Sequence, residues 1–147
     1  MCSGSEIMSY DLMVFEPTVA PQERKKFMEW YAQQTKWAED HSYQDQAVTT
    51  ERLQAWFREM IEHFPPMNGP LASDNVDDPR VTDHCIGHHV IYSAYSWSVA
   101  EEAYPKAREL AVKHSVGFFD VSATNGEILF PSNSSGTKNK KPWWQFW

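Results

Sequence analysis

Within seven positions the chain carries Asp83, His84, Cys85, His88 and His89. These side-chain types ligate metals or, as a Cys–His couple, supply a nucleophile and its base. Their spacing argues against both uses. On a continuous strand neighbours point to opposite faces, and residues four apart are separated by ~13 Å, too far to share an ion. A tight turn could gather some of them, with His41, His63 or His114 joining from elsewhere, but the sequence has no Cys-x-x-Cys or His-Glu-x-x-His pattern. The reading is therefore of exposed turn histidines and a half-buried cysteine, with no catalytic residue, no metal and no cofactor. A small metal-dependent or Cys–His enzyme using His84, Cys85, His88 and His89 is the alternative.

Other chemistries have less support. The six glycines form neither a Gly-x-Gly-x-x-Gly pattern nor a P-loop. The pair Asp77–Asp78 lies beside Pro79, and Glu101–Glu102 falls in a first helical turn, where acids suit the helix dipole. The acidic stretches are more suggestive as a binding surface. "SDNVDDPRVTD" holds Asp74, Asp77, Asp78 and Asp83 against Arg80 alone, and "AEDHSYQD" holds Glu39, Asp40 and Asp45. If the fold brings the two together they form a negative edge that steers a basic partner.

The elements that position these residues follow from periodicity. "YDLMVF" (10–15) reads as a strand. "PQERKKFMEWYAQQTKWA" reads as a helix with Pro21 in its first turn and Phe27, Trp30, Tyr31, Trp37 and Ala38 on one stripe. "TTERLQAWFREMIEHF" places Leu53, Trp56, Phe57, Met60, Ile61 and Phe64 on one helical face behind a Thr49 or Thr50 cap. A long Pro/Gly/Asp-rich connection, 65–80, follows. "VTDHCIGHHVIYSAYSW" reads as a hairpin turning at Gly87 to His89, with Tyr92, Tyr95 and Trp97 alternating along its second strand. "SVAEEAYPKARELAVKHSVG" reads as a helix with Ser98 and Glu101 as a capping box and a kink at Pro105. "GFFDVSATNGEILFP" closes as two strands about Asn125–Gly126, a type I′ signal. The order is βααββαββ: an α+β fold, a mainly antiparallel sheet with helices on one face, ferredoxin-like in outline once one helix and the last strand are set aside.

The totals agree with a folded domain. The chain has 147 residues, 41% hydrophobic and 14% aromatic, enough for one core. The expected division is an N-terminal extension (1–9), a single domain (10–131), a flexible linker (132–142) and an aromatic tail (143–147). Met8 would serve as well as Met1 as a start. No apolar run reaches the ~20 residues of a membrane span, no secretory signal is visible, and two cysteines suit a reducing cytoplasm. Net charge is −7; setting aside Lys138, Lys140 and Lys141 leaves ten basic residues against twenty acidic ones, −10 for the rest. Such a body repels phosphate backbones, which disfavours direct nucleic-acid binding. The ending "KNKKPWWQFW" joins those lysines to Trp143, Trp144, Phe146 and Trp147, anchors for docking on the chain's own domain, a second copy or a foreign protein. An adaptor acting through this tail is a third functional reading.

"MSYDLMVFEP", "FPPMNGP", "VIYSAYSWSVAEEAY" and "HSVGFFDVS" resemble segments of small single-domain bacterial proteins similar to immunity proteins encoded beside polymorphic or contact-delivered toxins. The resemblance spans roughly residues 10 to 131 and rests on structural motifs. It implies a non-catalytic cytoplasmic antitoxin that binds one cognate protein toxin, a basic one by charge, and occludes its active site in bacterial competition.

Overall fold

β1 (Tyr10–Phe15) is buried along nearly its whole length and runs through the middle of the sheet. Its alternation explains the architecture. Leu12 and Val14 point to one side, Met13 and Phe15 to the other, so both faces of the sheet are apolar and both must be covered. The computed structural model describes residues 9–131, apart from positions 38, 40–42, 68, 70 and 76. Asp40, the linker and the anchors Trp143, Trp144, Phe146 and Trp147 lie outside the described residues.

Along the chain follow α1 (Arg24–Gln34), α2 (Glu51–Met60), β2 (Asp83–Ile86), β3 (Val90–Tyr95), α3 (Ala100–Lys113), β4 (Gly117–Phe119) and β5 (Ile128–Leu129), with 3-10 turns at Gln46–Val48 and Trp97–Val99. The five strands lie in the order β2-β3-β1-β4-β5, every neighbour antiparallel.

Helices cover both faces, which corrects the expectation of a single helical face. On one side α2 brings Leu53, Trp56, Phe57 and Met60, and α3 brings Ala103, Ala107, Leu110 and Ala111, against Leu12, Val14, Ile86, Ile91 and Phe118. The Trp56 indole nitrogen donates to the Ala107 carbonyl at 3.1 Å, fastening the two helices together inside this layer. On the other side α1 lays Phe27 against Phe15 and Phe119, with ring centroids 5.0 and 5.2 Å apart, and Trp30, Tyr31 and Phe130 close the rim. The continuous apolar run of β1 carried this information, because a strand buried on one face only would alternate with polar residues.

Three local readings also change. α1 ends at Gln34, so Trp37 leaves the helical stripe and takes a left-handed backbone, φ 53°. The α3 end of the β3 strand is organised by Ser96, whose hydroxyl accepts from the Ser98 N–H, in place of a Ser98–Glu101 box. The β4–β5 connection is not a type I′ turn, which needs positive φ at both central residues. Only Asn125 has it, at 52°. Gly126 is required by space instead: a Cβ there would stand 1.9 Å from the Asp120 carbonyl oxygen.

Candidate functional site

The pleat of β2 takes the His/Cys cluster apart. His84 points into the α2–α3 layer, while Asp83 and Cys85 alternate to the α1 side and His88 and His89 sit in the turn. His84 is 4% exposed and walled by the rings of Trp56, Phe57 and Tyr95. Its Nε2 lies 3.0 Å from the Phe64 carbonyl, which only accepts, so Nε2–H donates there and Nδ1 accepts from the Ser93 hydroxyl at 2.7 Å. Both ring nitrogens are committed, and burial pushes the pKa down to about 4. His84 is a neutral core residue, which corrects its reading as an exposed turn histidine. Cys85 is buried and disulfide-bonded, so no free thiol stands beside the histidines; Cys2, the other cysteine, lies outside the described residues. The exposed His88 uses Nδ1 to donate to the Val48 carbonyl at 3.0 Å. Among the described residues no group of three His, Cys, Asp or Glu side chains is arranged to hold a metal.

The acidic stretches are placed at different ends of β2. Glu39 accepts from the His88 N–H at 3.0 Å, at the hairpin end, and Asp45 accepts from Ala47 N–H at 3.0 Å as the cap of the neighbouring 3-10 turn. Asp83 begins the strand, ~10 Å along it from Ile86 at ~3.3 Å per residue. The two stretches touch at one point, where Gly69 of the connection packs so closely on Gln44 that a Cβ there would collide with the Gln44 backbone.

The 65–82 connection is fastened at its base and projects from the Asp83 end. Thr82 N–H donates to the Pro65 carbonyl and Met67 N–H to the Thr82 carbonyl, both at 2.8 Å. Asp78 holds the turn by accepting from Arg80 N–H at 2.9 Å, while Asp74 and Asp77 stand exposed. Arg80 then spans to α3: its guanidinium lies over the Phe64 ring and pairs with Glu102. That pair brings Asp74, Asp77 and Asp78 to the same corner as Glu101 and Glu102.

An aromatic shelf occupies that corner. Trp97 is 54% exposed and packs on Tyr10 with ring centroids 5.1 Å apart. The next two turns of α3 border a cleft of about 700 Å³ lined by Tyr104, Pro105, Arg108, Glu109 and Glu127. Arg108 grips the Glu127 carboxylate with two bonds, 2.9 and 2.7 Å, and the Tyr104 hydroxyl adds a third at 2.9 Å. The guanidinium holds Glu127 below the usual carboxylate range, whereas burial and then the Glu127 charge raise Asp120. Burial and the Asp120 charge push the Tyr10 hydroxyl up to about 12. This arrangement offers aromatic faces and carboxylates to a cation.

Sequence reasoning missed Trp97, Tyr104, Asp120 and Glu127 as a group. The available signal was "YSWS": a serine able to cap immediately after a strand puts the following tryptophan outside the strand's alternation. The other members come from residues about twenty apart in sequence and meet only through the sheet. No protein-family model, curated protein or solved structure matches the chain.

Proposed function

We propose that the protein works by binding, as an immunity-type protein that neutralises a basic protein toxin by covering its working surface. The observation that carries this reading is the Arg80–Glu102 pair, which joins the acidic loop to the acidic start of α3. Carboxylates from two separate stretches then share one corner with an exposed tryptophan. Long-range attraction from such a corner raises the encounter rate with a basic partner, and a desolvated aromatic anchor slows departure. The contact edge proposed is Asp74, Asp77, Asp78 and Asp83, with Glu39 and Asp45, which lie toward the hairpin end of β2, as its secondary part.

The fold we propose is ferredoxin-like in outline. The order β2-β3-β1-β4 with α2 and α3 on one face supports it, and α1 and β5 are then additions, one covering the second face and the other extending the edge. No helix among the described residues is long and apolar enough to cross a membrane.

The test is capture from a lysate of the native host, prepared without reductant, using the full chain and an Asp74→Lys, Asp77→Lys variant as parallel baits. Asp78 is left in place because its carboxylate holds the loop. The expected result is one basic protein retained by the wild type and lost by the variant, with circular dichroism and melting temperature unchanged. Equal retention by both baits would remove the acidic corner from the account.

A further inference from the structure

Arg80 is the one cation in the stretch from residue 65 to residue 83. By charge alone it works against the edge, because a positive group beside Asp74, Asp77 and Asp78 weakens their pull on a basic partner. Its contacts give it a different task. Near the sheet the connection is closed by backbone bonds: Thr82 to Pro65 and Met67 to Thr82, both at 2.8 Å, and Ser73 to Pro66 at 2.9 Å. The turn that carries the carboxylates is bonded mainly to itself. Asp78 N–H donates to the Asn75 carbonyl at 3.2 Å, Val81 N–H to the Asp78 carbonyl at 3.0 Å, and Arg80 N–H to the Asp78 carboxylate at 2.9 Å. These bonds fix the shape of the turn and leave its position against the helices open.

The Arg80 side chain supplies that position. Its guanidinium lies 5.8 Å from the centroid of the Phe64 ring and pairs with Glu102 in the first turn of α3. Among the described residues, no other side chain of positions 74–80 forms a hydrogen bond or ion pair with a helix. Phe64 is a rigid platform for it. The residue is 1% exposed, its ring stands edge-on to Tyr95 at 5.2 Å, and its carbonyl accepts from the His84 imidazole.

We propose that Arg80 is the positioning residue of the binding edge: it pins the acidic turn to Phe64 and α3, so that a basic partner meets the loop carboxylates already ordered. A guanidinium suits both contacts, since its plane lies on a ring while its N–H fork reaches a carboxylate. A loop ordered in advance spares the complex the entropy of ordering it on binding. This inference rests on the proposed binding function and adds what holds that surface in place.

The experiment compares Arg80→Gln and Glu102→Gln in the full-length protein. They break the same link but move the net charge in opposite directions, from −7 to −8 and to −6. The two side chains are 43% and 54% exposed, so the melting temperature should hold in both variants. With nitrogen-15 labelling, the heteronuclear NOE of the Asp77, Asp78 and Arg80 amides reports the order of the turn. Titration with hexalysine, read at the same amides, reports binding at this edge. Both variants should lower the NOE there, leave Met67 and Thr82 unchanged, and weaken hexalysine binding about threefold, the size of one exposed ion pair. Arg80→Lys, which still reaches Glu102, should bind hexalysine more tightly than Arg80→Gln although it carries one more positive charge. Tighter binding by Arg80→Gln than by the wild type would reduce Arg80 to an ordinary surface charge and overturn the proposal, leaving the acidic edge standing. Wild-type Asp77 and Asp78 amides unmoved by hexalysine would remove the edge itself, and the positioning role with it.

Discussion

His84 is the residue whose environment makes the sharpest demand on solution behaviour. Its imidazole is neutral, doubly hydrogen-bonded and enclosed by rings, with a folded pKa of about 4 against 6.5 for the free group. The proton therefore binds the unfolded chain more tightly. Stability from this residue is complete above pH 6.5 and is lost as pH falls toward 4, by up to about 3 kcal/mol. Asp11 and Asp120 act in the opposite sense, since burial raises both; they favour the folded state as pH falls through the upper end of their titration. Urea unfolding at pH 7 and pH 4.5 should show the wild type losing stability at the lower pH, and His84→Gln should be less stable at pH 7 but lose less of that stability on acidification. Equal losses in both proteins would show that His84 is not the group responsible. Asp11 itself is held by the Ser9 and Tyr92 hydroxyls at 2.6 and 2.5 Å, so its burial is compensated by donors and needs no ligand.

At the scale of elements, α2 shows how local chemistry and packing agree. Thr50 accepts from the Leu53 N–H at 3.4 Å, Glu51 follows in the first turn, Arg58 stands in the last, and four apolar residues face the sheet. Thr50→Ala should cost about 1 kcal/mol in urea unfolding without altering the circular dichroism spectrum; no loss would mean that packing alone sets the start of the helix. The start and buried face of this helix were legible in the sequence because its cap, charges and 3.6-residue stripe point the same way, whereas its end at Met60 was not, since Ile61 and Phe64 continue the stripe. The hairpin was legible for a similar reason, with β-branched and aromatic residues flanking a glycine-containing turn. α1 was legible as a helix but not in placement or length: its aromatic stripe identifies a buried face without naming the sheet face it meets, and Trp37 continues the spacing after the helix has ended. The Asn125–Gly126 pair suggested a two-residue turn, whereas Asp120 N–H closes the loop on the Glu127 carbonyl at 2.9 Å, with residues 121–126 between them. Turn chemistry fixes the backbone at one or two positions; how far the strands have separated by then depends on what packs beneath them. The same limit applies to the corner site. Trp97, Tyr10 and Glu127 share no local pattern, and the pairing of Arg80 with Glu102 on α3 had no sequence signal either.

For the whole molecule, the sheet buried between two helical layers leaves its edges and ends to do the binding. At β2 the edge is covered in part, by Tyr43 accepting from Ile86 N–H and, just before the strand, by Pro65 accepting from Thr82 N–H, which hinders strand addition there. A net charge of −7 sets a field that reaches about 8 Å through physiological salt before it is screened. Exposed carboxylates within that range steer encounter more than they hold a complex, whereas an exposed aromatic such as Trp97 slows departure when a partner covers it. The central claim is thus that charge at one corner selects a basic protein partner. It is tested most directly by the association rate of the captured partner with wild type and with the Asp74→Lys, Asp77→Lys variant, measured at low and high salt. The account predicts a rate that falls steeply with salt for the wild type, starts at least tenfold lower for the variant and depends weakly on salt there. Identical rates with the same salt slope would contradict it.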